Sequence, residues 1–234
     1  MSAPTIAAWE HRLATLRADW ATLDDRRAQA DRAMVANWTT RLDSMAGEMA
    51  WLREHGDWLG GPRTLLEAAG LERNELVLTA GLAWLLDPEG FHRLGDRLLV
   101  GFLDRLGVES TSTQPVRIVR EEQRNDTRAD LLVRVPGVTI LVESKVGAGE
   151  QHDQCIRLAA EWADEHPVLV FLTRDGRPPT TAGEGVSDWW CLRWADIAAD
   201  VELAISALPP GRDPAPGVHD YLTTLHHHHG EKLA

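Results

Sequence analysis

The chain has 234 residues, 44% of them hydrophobic, and a formal net charge of −12. Its length suits one large domain, or one domain with an appendage, and its apolar content is enough for a substantial core. The charge argues against broad, non-specific attraction to nucleic acid, because phosphate binding rests on Lys and Arg. No apolar run approaches the roughly 20 residues that span a bilayer, no signal pattern opens the chain, and its 2 cysteines lack metal-type spacing. We therefore expect a cytoplasmic protein without a membrane segment.

Residues 5–55 are predicted to be helical, either as two antiparallel helices or as one long helix with a break. No proline lies between Pro4 and Pro62, and large apolar residues recur at helical spacing. We interpret residues 1–61 as a helical appendage for homodimerisation or for docking a protein partner. Simple packing against the rest of the chain is equally consistent with the pattern. The two apolar series are Trp9, Leu13, Leu16 and Trp20, and Met34, Trp38, Leu42 and Met45.

Residues 72–106 are predicted to form two helices separated by a turn over 87–90. From Pro115 the apolar period becomes that of strands. The next elements are a strand from Val116, a hairpin over 127–145, a helix over 150–165, strands over 167–173 and 189–192, a helix over 194–208 and a short terminal helix. This order predicts an α/β core over residues 62–225, with a mixed β-sheet flanked by helices. Residues 226–234, with four histidines, are assigned to a tail that fits either an expression-tag remnant or a native sequence.

The predicted hairpin carries the most informative pattern in the chain. With a turn centred on Pro136-Gly137, counting outward places Asp130 opposite Glu143. Because side chains alternate across a strand, Lys145 lies on the same face as Glu143. A longer loop about the same centre keeps this pairing, whereas a slip of one residue would separate the acids. The opposite face collects only apolar residues, namely Leu131, Val133, Val135, Val138, Ile140 and Val142.

The two acids on this hairpin suggest a metal site. Like charges that face each other across a sheet destabilise it, and a divalent cation between Asp130 and Glu143 would remove that penalty. A structural ion pair between Lys145 and either acid is the alternative interpretation.

Five arginines lead into and through the first strand of the hairpin. For any one of them a solvated surface charge is the simpler interpretation. Their concentration beside the acidic site nevertheless favours a phosphate-facing role for the group. They are Arg117, Arg120, Arg124, Arg128 and Arg134.

The arrangement of Asp130, twelve intervening residues and then Glu143-Ser144-Lys145 resembles the signature of the PD-(D/E)XK nuclease superfamily, whose members have the restriction-endonuclease-like fold. Ala129 replaces the usual proline before the first Asp. Gln151–Gln154 opens the following predicted helix, where several branches of the superfamily place glutamine. The block over 74–96, with Leu-Ala-Trp-Leu-Leu-Asp-Pro at 82–88, is similar to the N-terminal signature of one bacterial branch. The resemblance covers residues 72–208.

This resemblance implies a metal centre of oxygen ligands for Mg²⁺, with Mn²⁺ as a substitute. Asp130 and Glu143 would supply carboxylate oxygens, and the backbone carbonyl of Ser144 a third ligand. Lys145 would orient the attacking water or help it lose a proton.

Two further candidate catalytic residues lie outside the hairpin. By resemblance Glu75 is an acid on a helix that reaches the metal centre, although an acid in the first turn also complements the helix dipole. Gln151 would hold a water, a phosphate or the Lys145 region, and an exposed polar residue is the alternative.

The function implied is a Mg²⁺-dependent endonuclease that cuts DNA, in antiviral defence or DNA processing in bacteria. An RNA-cutting enzyme and a catalytically inactive, nuclease-like assembly subunit are the alternatives. Because the chain is acidic, a dimer or a DNA-binding partner would supply the missing basic surface.

Overall fold

The structure is a computed structural model that describes residues 6–55, 60–109 and 114–229. The chain divides at Gly60 into two compact units. In the first unit a single helix, α1 (Ile6–Glu54), runs for 49 residues. The predicted helical region is confirmed, but no break interrupts it, because α1 contains no proline and its one glycine, Gly47, is tolerated inside a helix. The alternative of two antiparallel helices is therefore wrong.

The second unit begins with three helices that precede its sheet. Side chains cap two of them, since Thr64 accepts a hydrogen bond from the amide of Glu67, and Asn74 accepts one from Val77. The helices predicted within 72–106 are confirmed. The three are α2 (Leu65–Ala68), α3 (Glu75–Leu86) and α4 (Arg97–Arg105).

A five-stranded mixed sheet forms the centre of the second unit. Its strands lie in chain order, with antiparallel pairing between the first three and parallel pairing between the last three. The predicted α/β fold with a mixed sheet, consistent with the restriction-endonuclease-like fold, is confirmed. The strands are β1 (Arg117–Arg124), β2 (Thr127–Val135), β3 (Val138–Ser144), β4 (Val168–Thr173) and β5 (Trp189–Arg193).

Three more helices alternate with or follow the strands. They are α5 (Gln154–Glu161), α6 (Trp194–Ser206) and α7 (Pro216–His229). The four histidines assigned to a tail thus end α7, where His227 and His228 both hydrogen-bond the Glu67 carboxylate at the end of α2. In the part of the chain that the structure describes, no helix has the length and apolar character to cross a membrane.

The hairpin register predicted from the sequence is confirmed. Val135 pairs with Val138 across Pro136-Gly137, and the pairing continues outward to Leu131 and Val142. Gly137 has a φ of 81°, a left-handed value that glycine adopts readily and that the third position of a type II turn requires. A two-residue loop therefore forms, and the next step of the same register puts Asp130 opposite Glu143.

Apolar clusters bury both faces of the hairpin. Leu131 and Val142 belong to the larger cluster, which includes side chains from α3, α4, α6 and α7. On the other face, Leu132 and Leu141 pack with Leu158 of α5. The alternation of residues did not predict this second cluster, because it depends on α5 covering the face that carries the acids. The acids therefore lie at the end of a buried surface.

Candidate active site

The ends of β2 and β3 meet through a hydrogen-bonded carboxylate. Oδ2 of Asp130 accepts hydrogen bonds from the Ser144 amide at 2.8 Å and from the Ser144 hydroxyl at 3.1 Å. Both bonds reach across the hairpin, so they fix the orientation of the carboxylate. The same oxygen accepts both bonds, and no residue in the described ranges hydrogen-bonds Oδ1.

Lys145 lies immediately after β3 with its backbone held in place. Its amide donates to the carbonyl of Leu172 at 2.8 Å, which extends the parallel pairing with β4 by one residue. Its Nζ donates to Oε1 of Glu143 at 2.6 Å and approaches Oε1 of Glu75 at 3.5 Å. The Lys145 side chain is only 9% exposed, so these contacts lie in surroundings of reduced polarity, where they are strengthened.

Glu75 ties the start of α3 to the end of β3. Its Oε2 accepts a hydrogen bond from the Val146 amide at 3.1 Å. One turn later, the Thr79 hydroxyl lies within hydrogen-bond distance of the Glu75 carbonyl and, at 2.8 Å, of the Ser144 hydroxyl, and its single proton serves one of the two. The helical acid and the hairpin acids therefore belong to one connected network. We call Glu75, Asp130, Glu143 and Lys145 the Lys145 cluster.

Glu143 is the most deeply buried member of the Lys145 cluster. Its side chain has no solvent exposure, and its Oε1 accepts from both Lys145 and Gln154 at 2.6 Å. Its Oε2 is buried, and no residue in the described ranges hydrogen-bonds it. Burial, followed by repulsion from Asp130, raises the pKa of Glu143 to about 8, although Lys145 opposes this shift. A buried acceptor without a donor is costly, so it requires an explanation.

The Lys145 cluster contains more acid than base. Burial alone would lower the pKa of Lys145, but the carboxylates of Glu143, Glu75 and Asp130 together raise it above its ordinary value. The lysine is therefore a charged ammonium group at neutral pH. Three carboxyl groups surround this single cation, and the pKa of about 8 keeps Glu143 protonated at neutral pH unless further positive charge is bound.

The backbone of β1 is irregular directly opposite Asp130. Arg120 pairs with Leu131, and Glu122 pairs with Ala129, while Glu121 between them has a left-handed φ of 52°. Such a conformation costs of order 1–3 kcal/mol for a residue other than glycine, and it is concentrated at functional sites.

The two glutamines of the predicted Gln151–Gln154 pair occupy different environments. The helix α5 begins at Gln154 rather than near Glu150, after Asp153 in a left-handed conformation. Gln154 therefore reaches Glu143, whereas Gln151 is exposed and only its amide bonds the Gln154 side chain, at 3.1 Å. The helix predicted over 150–165 therefore begins four residues later than expected, and Gln151 lies outside it.

Two clefts adjoin at Lys145. One, of about 390 Å³, is lined by Glu75, Asp130 and Lys145, with Gln151 and Arg157 farther out. The second, of about 380 Å³, also contains Lys145 and Ala148 and is bordered by Arg174, Arg177 and His229. Glu143 lines neither cleft, because Lys145 and Gln154 lie over it.

Much of the second unit matches a known protein family. A family model described as PD-(D/E)XK nuclease superfamily matches residues 65–209, which is more than half of the chain. The chain belongs to the PD-(D/E)XK nuclease superfamily. No curated protein and no solved structure gives a significant match. The matched range contains the whole Lys145 cluster, and α1 lies outside it.

PD-(D/E)XK nucleases generally use divalent metals, and the residues of this chain fit such an ion. Asp130 and Glu143 offer hard oxygen donors, which suit Mg²⁺ and Mn²⁺. The buried Oε2 of Glu143 lacks a donor in the described ranges, and the excess of acid over base would be reduced by a cation. The amide and the hydroxyl of Ser144 both donate hydrogen bonds to Asp130, so these two groups orient the Asp130 carboxylate.

Two of the five arginines expected to face phosphate bind carboxylates instead. Arg134 donates to Glu122 and Glu165, and Arg124 also pairs with Glu165. We call Glu122, Arg124, Arg134 and Glu165 the Arg134 cluster. The expectation of a phosphate-facing role is wrong for these two arginines, because carboxylates already occupy their guanidinium groups.

The sequence pattern does not identify two residues that lie near the Lys145 cluster. The sequence places Gln154 only as a neighbour of Gln151, and its contact with Glu143 depends on where α5 begins. Glu150 is 2% exposed and binds Arg177 together with Thr180 and Thr181, so it holds the loop that borders the second cleft. No local pattern could reveal this role, because its partners lie about thirty residues away in the chain.

Proposed function

We propose that this chain is a metal-dependent endonuclease that hydrolyses phosphodiester bonds in DNA. The observation that carries the proposal is Glu143, an acid without exposure whose Oε2 has no donor in the described part of the chain. A purely structural ion pair with Lys145 would not require a second and third carboxylate beside it. A nuclease centre that receives a divalent cation accounts for all of them.

The metal ligands proposed are the carboxylates of Asp130 and Glu143. A bound divalent cation would polarise the phosphoryl group and lower the pKa of a coordinated water. Ser144 holds Asp130 in place through Oδ2, which leaves Oδ1 for the ion. Glu75 stays beside Lys145 through its bond to the Val146 amide, so its proposed role is to orient Lys145 and nearby water.

Lys145 is proposed to act as a charged hydrogen-bond donor. Its raised pKa keeps the ammonium protonated, so it is suited to bind a phosphoryl oxygen and to stabilise the charge that develops there. A proton-accepting role would require the neutral amine, which its three acidic neighbours disfavour. The position of Lys145, where the two clefts adjoin, brings it to any substrate that enters either one.

A polymeric substrate is favoured by the two clefts on either side of Lys145. A phosphodiester backbone carries charge on both sides of the scissile bond, and arginines border both clefts, with Arg157 in one and Arg174 in the other. Arg and Lys are the side chains on which phosphate binding rests. DNA is proposed over RNA from the resemblance to restriction endonucleases.

The test is a cleavage assay on plasmid DNA and on RNA, with Mg²⁺, Mn²⁺ or EDTA. We expect the native chain to cut DNA with either metal and EDTA to stop it. Asp130→Asn should lower the rate at least about 100-fold, since even residues that only support metal ligands are worth 10–100-fold. Asp126→Asn is the matched control, because Asp126 borders the same cleft with its side chain 82% exposed.

Each outcome decides a different part of the proposal. Cleavage that survives EDTA, or equal losses in Asp126→Asn and Asp130→Asn, would contradict a metal centre at Asp130. Cleavage of RNA alone would show that the substrate is wrong while the chemistry stands. A pure native chain that cuts neither polymer would favour the inactive, nuclease-like subunit.

A further inference from the structure

The helix α1 carries a stripe of apolar side chains that no other described element of the first unit covers. Nearly all of its large apolar side chains are more than half exposed, among them Trp20 at 68% and Leu42 at 60%. Apolar surface on this scale marks an interaction site. Because α1 is one continuous helix, its two halves cannot pack against each other within one chain.

The stripe is symmetric about Gln29. Its apolar positions follow the three- and four-residue spacing of a coiled coil in both halves of α1. For each position in the first half there is one at the same distance on the other side of Gln29. The mirrored pairs are Ile6 and Leu52, Trp9 and Met49, Leu13 and Met45, Leu16 and Leu42, Trp20 and Trp38, and Leu23 and Val35.

Mirror symmetry of this kind fits two antiparallel copies of the same helix. A C₂ interface brings residue i of one copy to residue j of the other and j to i. In the antiparallel arrangement every pair above meets twice, and all the apolar positions fall into register at once. The centre also matches in charge, because Arg27 and Asp31 lie two residues on either side of Gln29. Each Arg27 would therefore face an Asp31 of the other copy.

A parallel pair of α1 helices would bring like charges together at the centre. In that arrangement Arg27 would face Arg27 and Asp31 would face Asp31, and like charges at these positions select against pairing. The apolar spacing also shifts by one residue across the centre, from Arg27 in the first half to Ala28 in the second. Both arrangements accommodate this shift, because it lies at the same level in the two copies, so the charges at the centre are what favour the antiparallel pair.

The contact is long enough for a stable dimer. From Ile6 to Leu52 the helix extends about 70 Å, and the twelve stripe residues would bury on the order of 1,000 Å² per copy. Standard interfaces bury about 800 Å² per partner. We propose that the chain forms a homodimer through antiparallel pairing of α1, with Gln29 at the two-fold axis. This inference does not depend on the proposed nuclease activity.

The first test is the mass of the full chain by light scattering across a dilution series. A dimer of twice 26.0 kDa is expected. Leu16→Glu and Trp20→Glu should each convert it to a monomer, because a buried charge at the seam has no partner. Ala18→Glu is the matched control on the opposite side of the helix and should stay dimeric. A native monomer at every concentration, or a dimer that survives both seam variants, would overturn the proposal.

The second test addresses the antiparallel register. Arg27→Asp should raise the dimer dissociation constant several-fold, because the introduced carboxylate would then face Asp31 in the other copy. The double variant Arg27→Asp, Asp31→Arg restores opposite charges and should recover native affinity. In a parallel pair the single variant would exchange one like-charged contact for another, so an unchanged dissociation constant would overturn the antiparallel arrangement. Circular dichroism of each variant establishes that α1 remains helical.

Discussion

Two charged clusters on the same sheet differ in how their charges are balanced. In the Lys145 cluster, three carboxyl groups surround one ammonium group, and Oε2 of Glu143 has no hydrogen-bond partner among the described residues. In the Arg134 cluster, Arg134 makes paired hydrogen bonds to Glu122 and to Glu165, at 2.6–2.8 Å. The carboxylates of the Arg134 cluster have their hydrogen-bond donors and a matching positive charge, whereas Glu143 in the Lys145 cluster lacks a partner for one oxygen among the described residues.

The pKa shifts of the two clusters have opposite signs. Hydrogen bonds from Arg134 lower the pKa of Glu165 to about 2, and they also lower that of Glu122. Burial raises the pKa of Glu143 to about 8. Charge in the Arg134 cluster therefore stabilises the fold, whereas charge in the Lys145 cluster costs stability. Sites that bind or react accept such a cost, so the difference supports the proposal that the Lys145 cluster is the functional one.

The largest expected effect is on cleavage, and it should be confined to one cluster. Lys145→Met should lower the cleavage rate by ~10²–10⁴-fold, because it removes the charged donor beside the phosphate. Arg134→Met should leave the rate per folded molecule unchanged. Both rates are measured at a temperature where circular dichroism shows each variant to be folded. Equal losses in the two variants would remove the distinction between the clusters.

The pH dependence of stability should report on the Arg134 cluster. Glu165 has a pKa of about 2 when folded against 4.5 when unfolded, so its contribution is complete above pH 4.5 and is lost as the pH falls towards 2. Glu165→Gln should therefore cost about 2 kcal/mol at pH 7, less than a fully buried pair would. Urea unfolding from pH 7 to pH 3 checks this. A gap between native and variant that stays constant with pH would contradict the assignment.

A smaller effect should separate the two glutamines. Gln154→Ala should lower cleavage about tenfold, or 1.4 kcal/mol, because Gln154 holds Glu143 through a 2.6 Å hydrogen bond. Gln151→Ala should have less effect, since its side chain is exposed at the rim. The two cleavage rates are compared at saturating Mg²⁺. A larger loss in Gln154→Ala would support the contact with Glu143, and a larger loss in Gln151→Ala would support the residue predicted from the sequence.

The smallest effect should be a gain in stability. Glu143→Gln keeps the shape of the side chain and removes the cost of protonating Glu143 on folding, since burial raises its pKa from 4.5 to about 8. We expect the free energy of unfolding at pH 7 to rise by about 1 kcal/mol while cleavage is lost. Urea denaturation without added metal measures the change. A fall of several kcal/mol would instead show that Glu143 and Lys145 form a stabilising structural pair.

The hairpin shows how far sequence reasoning extends. Alternation and the Pro136-Gly137 turn were enough to place Asp130 opposite Glu143, because a one-residue slip would separate the two acids and turn the apolar residues of one strand to the face that carries them. The positions that follow the hairpin were harder to predict. The start of α5 depends on the left-handed backbone of Asp153, and Glu150 is fixed by side chains across the fold. Neither influence lies in the local sequence.

The prediction for the arginines failed for a related reason. Arg124 and Arg134 were grouped by their closeness in sequence, but their partner Glu165 follows α5, more than thirty residues later. Sequence spacing locates charges along a strand and does not reveal which ones a later segment will neutralise. In α1, by contrast, a local pattern was sufficient for the helix, because its periodicity needs no distant partner.

The most direct test of the metal centre is a crystal structure of the chain soaked with Mn²⁺, with the ion located by its anomalous scattering. We expect one ion bound by carboxylate oxygens of both Asp130 and Glu143, with Lys145 either displaced from Glu143 or still hydrogen-bonded to it beside the ion. An ion bound elsewhere, with Lys145 still covering Glu143 and Asp130 held only by Ser144, would contradict a metal centre at these two acids.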